Sequence, residues 1–321
     1  MSTRPILLLL ALSASLAAAQ ETPAVVPFAK LRGAMTQKVI LGKLRVFYET
    51  SGPHAVSAED ANGNGVPDHP EDVAAQAMGA WQLWTCLGFA DPLQTPRYAG
   101  AAWIDVHLLS KETIKTNGVA YDELQHFSRP GDAEGTTSLC FDVATSVKAP
   151  ANLTPAHEMF HLLQNCVCFF KNRWFTEGTA RWSEKALGKG GLPEGIRRTV
   201  WPPEPAAMEA IFAGAYDTAA TYWGPLLASD DEIGTLPEER LPRSLLDAHY
   251  ANGEPVLKDR QLTGWELIRE ILTALDAEDD LVFRERKLDR WSEVEQRSDA
   301  NNAILHRVVQ EVMAKRHAGT R

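Results

Sequence analysis

The segment NLTPAHEMFHLLQNC constrains the fold most, because it contains two histidines four positions apart and a glutamate directly after the first. Thr154 is a residue type that caps helices, and the proline that follows it suits a first helical position, so we predict a helix from here. Each helical residue is rotated by about 100° from the last, which places His157 and His161 on one face, one turn apart. Glu158 is rotated away from both. The segment therefore predicts a helix that presents a pair of imidazoles.

Two imidazoles on one helix face suit a metal ion. Catalytic zinc takes three protein ligands and one water molecule, whose pKa it lowers to about 7. A carboxylate beside that water takes its proton as the water attacks a carbonyl group. The pattern His-Glu-x-x-His thus gives each of its fixed residues a task in hydrolysis. The alternative is a core helix whose histidines are hydrogen-bonded and have no ligand role.

A second segment, WFTEGTARWSE, begins at Trp174, 13 residues after His161, a distance that suits a turn and a return of the chain. We predict a helix over about residues 176–187. Glu177 lies at its start, where a carboxylate is placed to complete a ligand set. Glu184 lies seven residues further on the same face. It is either a hydrogen-bond partner of a ligand histidine or a plain surface carboxylate.

HEMFH followed by WFTEGTARWSE resembles the gluzincin metallopeptidases, whose third zinc ligand is the glutamate of a Trp-x-x-Glu-Gly-x-Ala helix. The resemblance implies a zincin-like fold, zinc ligands His157, His161 and Glu177, and Glu158 as general base. SGPHAV before a loop rich in Asp, Asn and Gly is also similar to a family of secreted bacterial proteins described as candidate metalloproteases, and this likeness spans about residues 45–190. The spacing of the third ligand is shorter than in aminopeptidase gluzincins, and no Gly-x-Met-Glu-Asn-type motif is present. The resemblance therefore implies an endopeptidase that acts on proteins or peptides.

Enzymes of this type bind the substrate backbone along an edge strand. The resemblance assigns that role to WIDVHLLS or to NGVAYDE. A tyrosine or histidine commonly stabilises the oxyanion. Four residues downstream of the two segments are candidates that the sequence does not separate: Tyr216, Tyr222, His249 and Tyr250.

The loop DANGNGVPDHPE, residues 60–71, has the ligand spacing of an EF-hand loop. Calcium prefers six to eight oxygen ligands, and Gly65 at the sixth position permits the sharp turn. The preceding segment is not helical, so we predict a strand–loop–helix calcium module similar to dockerin-type loops, with a structural role. An ion-free loop of Asx turns is the alternative. The predicted ligands are Asp60, Asn62, Asn64, Val66 through its carbonyl, Asp68 and Glu71.

Residues 1–19 have the pattern of a secretory signal peptide: a cationic start, an apolar stretch and a cleavage site of small residues ending at Ala19. The apolar stretch is shorter than the roughly 20 residues that span a bilayer, and no later one is longer. We therefore predict an exported protein, extracellular or periplasmic, without stable membrane insertion after cleavage.

Four cysteines in an exported chain predict two disulfides. Cys166 and Cys168 are too close together to pair comfortably, so each is expected to bond with Cys86 or Cys140, in either of two connectivities. Free buried thiols are one alternative. A closed structural zinc site made of two histidines with Cys166 and Cys168 is another.

Along the chain, we predict strands in KVILGKLRVFYETSG, AAWIDVHLLS, TNGVAYDE and TTSLCFDVATSV, and a helix where apolar residues recur every three or four positions after residue 72. Ile104, Val106 and Leu108 share one face of a strand predicted to be half-buried. The predicted fold class is α+β: a mixed α/β lobe over 20–190, a glycine-rich break, and a mostly helical lobe over 191–321.

The formal net charge of −10 is scattered and includes no basic stripe, which argues against nucleic-acid binding. The sequence predicts a secreted zinc metallopeptidase. A calcium-dependent extracellular binding protein with a non-catalytic zinc site is the alternative from another class. A zinc hydrolase that acts on a non-peptide amide or ester is a third possibility.

Overall fold

The computed structural model describes residues 28–188, 201–230 and 234–319. The predicted signal peptide and the predicted lobe boundary at 190–191 lie outside these residues. Within them the chain is α+β, with one mixed sheet formed entirely before residue 145. The described residues after 200 form helices and loops joined by isolated β-bridges.

Six strands form the sheet, in the order β1-β2-β3-β6-β4, with β5 also paired to β6. Their bounds are β1 Gln37–Leu41, β2 Leu44–Tyr48, β3 Ala101–Leu109, β4 Gly118–Ala120, β5 Gln125–His126 and β6 Thr137–Ala144. The segment KVILGKLRVFYETSG, predicted as one strand, is a hairpin. It reverses at Gly42, whose φ of +56° is left-handed and favours glycine.

β2, β3 and β6 are parallel and form the centre of the sheet, whereas β4 lies antiparallel to β6 at one edge. The prediction that β3 is half-buried is wrong, because both of its faces are covered from Ile104 to Leu109. Its position between β2 and β6 also excludes WIDVHLLS as an edge strand. The edge strand comes from NGVAYDE.

The α-helices of the described residues are α1 Phe28–Ala34, α2 Asp68–Cys86, α3 Lys111–Ile114, α4 Thr154–Val167, α5 Arg173–Ser183, α6 Met208–Ala213, α7 Gly224–Asp230, α8 Arg243–Leu246, α9 Trp265–Glu285, α10 Glu293–Gln296 and α11 Ala300–Gly319. A π-helical stretch, Ala219–Trp223, leads into α7. α5 begins three residues before the predicted start at 176, and a 3-10 turn, Glu184–Ala186, extends it. None of these helices is both long and apolar enough to cross a membrane.

One face of the sheet packs against α2 and α4. Side chains alternate between faces along a strand, so Ile104, Val106 and Leu108 all point into this layer, as predicted. Trp84 of α2 contacts Phe160 of α4 with ring centroids 5.1 Å apart. Burying a side chain of the size of phenylalanine stabilises the fold by roughly 1.5–3 kcal/mol. The same core continues into helices after residue 200, which fixes those helices relative to α4 and α5.

The opposite face of the sheet is buried but polar. Arg45 of β2 forms a bidentate ion pair with Asp105 of β3, at 2.7 and 2.9 Å. Arg32 of α1 forms a second bidentate pair with Asp142 of β6. Buried charges are retained when they are paired in this way. The polar positions of these strands are therefore internal, which is why β3 is not half-exposed.

The prediction of two disulfides is wrong: all four cysteines are free. Cys140 neighbours Phe141 on β6, so it lies on the polar face of the sheet, away from α4. The Sγ of Cys166 donates to the carbonyl of Leu163 instead, at 3.1 Å, and that of Cys86 donates to the carbonyl of Leu83. The alternative of free thiols is the one that the structure shows.

Candidate functional site

The first residues of α4 position the two histidines. Thr154 is the first helical residue and not the cap; the side-chain oxygen of Asn152 accepts hydrogen bonds from its amide and hydroxyl, at 2.9 and 2.7 Å. These bonds fix the point at which the helix starts. From there, regular helix geometry brings the rings of His157 and His161 to a centroid distance of 4.7 Å. The predicted face of paired imidazoles is present.

α5 brings Glu177 to these rings. Its Oε2 lies 3.3 Å from Nε2 of His157 and 3.6 Å from Nε2 of His161. Close packing of α5 makes this approach possible. A side chain at Gly178 would collide with Thr218 and Trp223, so only glycine fits directly after the glutamate.

The other ring nitrogens of both histidines have protein partners. Nδ1 of His157 lies 3.0 Å from Oε1 of Glu184, and Nδ1 of His161 lies 2.7 Å from Oε1 of Gln164. A proton on Nδ1 that is directed at these acceptors would leave the Nε2 lone pair of each ring available to a metal ion at the common centre. Glu184 is therefore a hydrogen-bond partner of a histidine and not a plain surface carboxylate. Gln164 was not predicted; its position three residues after His161 on the same helix was the available signal.

Among the described residues, His157, His161 and Glu177 are the group whose ligand atoms meet the distance expected around one metal ion, all within 4.8 Å of each other. Two imidazole nitrogens and a carboxylate oxygen are a donor set that zinc favours. The residues present therefore fit zinc. Neither Cys166 nor Cys168 belongs to this group, so the described residues do not form the alternative structural site of two histidines and two cysteines.

The charges of the group reinforce one another. Burial alone would lower the pKa of His157, but its hydrogen bonds with Glu177 and Glu184 raise that pKa to about 9. Burial alone would raise the pKa of Glu177, but His157 and His161 lower it well below the usual range. Glu177 is thus held as a carboxylate, the form that binds metal. Glu158 is buried, and this burial raises the pKa of its carboxyl.

The edge strand β4 passes directly over Glu158. A Cβ atom added at Gly118 would lie 2.5 Å from Oε1 of Glu158 and 2.5 Å from the methyl group of Thr154. Only a residue without a side chain allows the strand to approach so closely. The carboxylate next to the histidine pair is therefore also next to an exposed strand edge.

A groove runs past the histidine group on both sides. One part, of about 900 Å³, extends along residues 118–125 and is closed on its far side by residues 290–297. The other part, of about 640 Å³, extends toward Lys111 and Arg181. Glu158 lines both parts, so the groove is continuous across the candidate site.

Of the four candidate oxyanion residues, the structure places one at the site. The ring of Tyr216 lies 5.6 Å from that of His157, and Tyr216 lines both parts of the groove. Burial, followed by the charges of Glu177 and Glu158, raises its pKa to about 12, so it retains a proton to donate. The other three candidates have partners elsewhere: Tyr222 with His306, His249 with Asp247, and Tyr250 with Gln76.

The predicted calcium loop wraps around its own oxygen atoms. The carboxylate of Asp60 accepts hydrogen bonds from the amides of Asn64 and Gly65, at 3.1 and 2.9 Å. Glu71, in the first turn of α2, accepts from the side-chain amides of Asn62 and Asn64 at 3.0 and 2.8 Å. Hydrogen bonds thus connect the first position of the loop to the fifth and sixth, and the twelfth position to the third and fifth.

Comparison with known proteins found no family model, no curated protein and no solved structure that matches the chain. What the chain does must therefore be inferred from its own residues and their geometry.

Proposed function

We propose that the chain is a secreted, zinc-dependent metallopeptidase with a zincin-like fold, most simply an endopeptidase. One observation carries the proposal: Nε2 of His157, Nε2 of His161 and Oε2 of Glu177 converge beside Glu158 at an exposed strand edge. A metal site that only stabilises the fold needs neither an enclosed carboxylate next to it nor a groove on both sides.

In this proposal, His157, His161 and Glu177 hold zinc, which supplies Lewis-acid chemistry to a carbonyl group and to water. Glu158 takes the proton from the attacking water and passes it to the leaving amine. Glu184 and Gln164 keep the imidazoles in the tautomer and orientation that metal binding needs. The hydroxyl group of Tyr216 keeps its proton and donates a hydrogen bond to the developing oxyanion.

β4 is the proposed binding edge for the substrate backbone. The amide of Tyr121 donates to the carbonyl of Cys140 at 3.0 Å, so Tyr121 faces inward to β6. Backbone groups of alternate residues in an antiparallel pair point to opposite sides. Gly118 and Ala120 therefore direct their amide and carbonyl groups into the groove, where an extended peptide adds as one more strand.

Metal analysis tests the proposal. We expect about one zinc per chain in the purified protein and hydrolysis of casein-type substrates that a chelator abolishes and zinc restores. Glu177→Ala removes one of three ligands and is expected to lower zinc affinity by at least about 100-fold. Glu112→Ala, an exposed carboxylate on α3, is the matched control and should bind zinc as the wild type does. Stoichiometric zinc without chelator-sensitive hydrolysis would instead favour the extracellular binding protein, and hydrolysis limited to small amides or esters would favour the non-peptide hydrolase.

We also propose that residues 60–71 bind calcium in a structural role. The backbone amide of Gly65 already bonds the carboxylate of Asp60, and Glu71 at the start of α2 accepts the side-chain amide of Asn64. Side chains of this loop offer oxygen atoms, the ligands that calcium prefers. Binding here ties the loop to α2, a helix that packs on the core beside α4.

A ligand that binds only the folded state stabilises it by about 2.7 kcal/mol at 100 times its Kd. Because a chain of this length has a large unfolding entropy, we expect EGTA to lower the Tm of the calcium-loaded protein by about 4 °C. Asp60→Ala should have the lower Tm already and show no further response to EGTA, whereas Glu134→Ala, an exposed acidic control, should respond fully. A Tm that is indifferent to EGTA would show that the loop is ion-free.

A further inference from the structure

The part of the groove beyond His157 has an uneven distribution of charge. We call it the cationic end and define it by Lys111, Lys115 and Arg181, which line it together. We propose that the cationic end binds a carboxylate of the substrate, either an acidic side chain or the carboxyl terminus of the peptide. This inference rests on the proposed peptidase function and names the class of peptide that the groove selects.

The carboxylates that line the cationic end are already engaged. Glu184 contacts His157 and forms an ion pair with Arg181, and Glu158 is buried against Gly118 of β4. Neither lysine forms an ion pair with an acidic residue in the described ranges. Lys111 donates to the side-chain oxygen of Asn117 at 2.9 Å, and the side chain of Lys115 makes no hydrogen bond or ion pair with any residue that the structure describes.

The backbone holds Lys115 in place. Its amide closes α3 by donating to the carbonyl of Lys111 at 2.8 Å, and its φ of +64° is left-handed. The reversal turns the chain directly from α3 into Asn117 and the edge strand. The two lysines are therefore presented beside the start of β4 by a defined turn.

The other part of the groove is electrically balanced. Lys171 lies 3.6 Å from Asp122, and Arg297 lies 3.1 Å from Glu293. Its remaining charged residues also have both signs. An anionic group on the substrate is therefore attracted more strongly by the charges of the cationic end than by those of the opposite part of the groove.

The direction of the edge strand shows which part of the substrate carries the carboxylate. Antiparallel pairs are the commoner arrangement in sheets. A peptide antiparallel to β4 runs from beside Tyr121 to beside Gly118 and then into the cationic end. The carboxylate is therefore expected on residues that follow the scissile bond.

Binding and cleavage measured together test the inference. Two fluorescent decapeptide pools differ only in having two fixed glutamates or two fixed glutamines, and each pool is prepared with a free acid or an amidated carboxyl terminus. We expect zinc-loaded protein to bind the glutamate pool or the free-acid pools about 3- to 10-fold more tightly, and the preference to shrink in high salt. A preference for glutamate assigns the side chain, and a preference for the free acid assigns the chain terminus. Digests should show the carboxylate after the cleaved bond.

Lys111→Gln combined with Lys115→Gln is expected to remove the preference while the glutamine pool with an amidated terminus binds and is cleaved as by the wild type. Lys30→Gln combined with Lys315→Gln removes the same amount of charge from exposed positions elsewhere. This control variant should retain the preference for peptides that carry the carboxylate. Arg181 is left intact because it also contacts Glu184. Equal binding of all four pools by the wild type, or a preference that survives the double substitution, overturns the inference. Because binding is read separately, selective binding without cleavage counts against the peptidase proposal alone.

Discussion

Glu158→Gln is expected to lower hydrolysis of casein-type substrates by about 100- to 10,000-fold, the usual contribution of a general base. Glutamine has the same shape as glutamate, but its amide group cannot take a proton from water. Since Glu158 is not one of the three residues whose ligand atoms converge, the zinc content of the variant should equal that of the wild type. The variant therefore separates proton transfer from metal binding.

The measurement is initial rate on a protein substrate, with zinc content determined on the same sample. Glu123→Gln is the matched control, because this exposed carboxylate lines the same groove away from the histidine group. It should retain activity close to that of the wild type. If Glu158→Gln were as active as the wild type, Glu158 would lose its assigned role and the proposed mechanism with it.

Arg32→Met is expected to destabilise the fold by about 3–5 kcal/mol, the typical cost of leaving one partner of a buried ion pair alone. The guanidinium of Arg32 bonds Asp142 through two atoms, at 2.9 and 2.6 Å, and the side chain of Asp142 is fully buried. Methionine fills similar volume but leaves that carboxylate without its cation. The same carboxylate accepts the hydroxyl of Tyr121, the residue directly after β4. The pair thus connects α1 to the strand that we propose binds substrate.

Denaturant unfolding at pH 7 measures this effect, and Lys30→Met on the exposed side of α1 should change stability by less than about 0.5 kcal/mol. Burial acts to raise the pKa of Asp142, but contacts with His107 and Arg32 lower it below the ordinary value of 3.8. A lowered pKa contributes stability that is present above pH 3.8 and lost as pH falls through the folded-state pKa. The difference between Arg32→Met and wild type should therefore narrow below pH 4. A change below 1 kcal/mol at pH 7 would mean that water or a rearranged side chain replaces Arg32.

Local geometry made several features predictable from the sequence. Residues four apart share a helix face whatever surrounds the helix, so the arrangement of His157, Glu158 and His161 followed from their spacing. The loop from Asp60 to Glu71 behaves similarly, because its side chains bond to amides only a few residues away. The α+β class also followed from periodicity, since strands and helices bury apolar residues at different intervals.

Contacts between residues that are far apart in the sequence were less predictable. The strand pattern of β3 predicted a half-buried strand because Asp105 and His107 are polar, but their charged partners come from other elements. Cysteine count predicted disulfides, but a sheet sends neighbouring side chains to opposite faces, and this separates Cys140 from Cys166 and Cys168. Residue spacing alone predicts neither which buried charges form pairs nor which face of the sheet a cysteine occupies.

By itself, the sequence determined the helix with its two imidazoles, the glutamate between them and the oxygen-rich loop, because repeating backbone angles and short-range hydrogen bonds decide such features. Only the tertiary structure decided that Glu177 reaches both imidazoles, that Tyr216 and not three other candidates lies beside them, and that β4 is an edge strand. These contacts join residues from separate elements. Their distances depend on how helices and strands pack, and close approaches such as those at Gly118 and Gly178 set that packing.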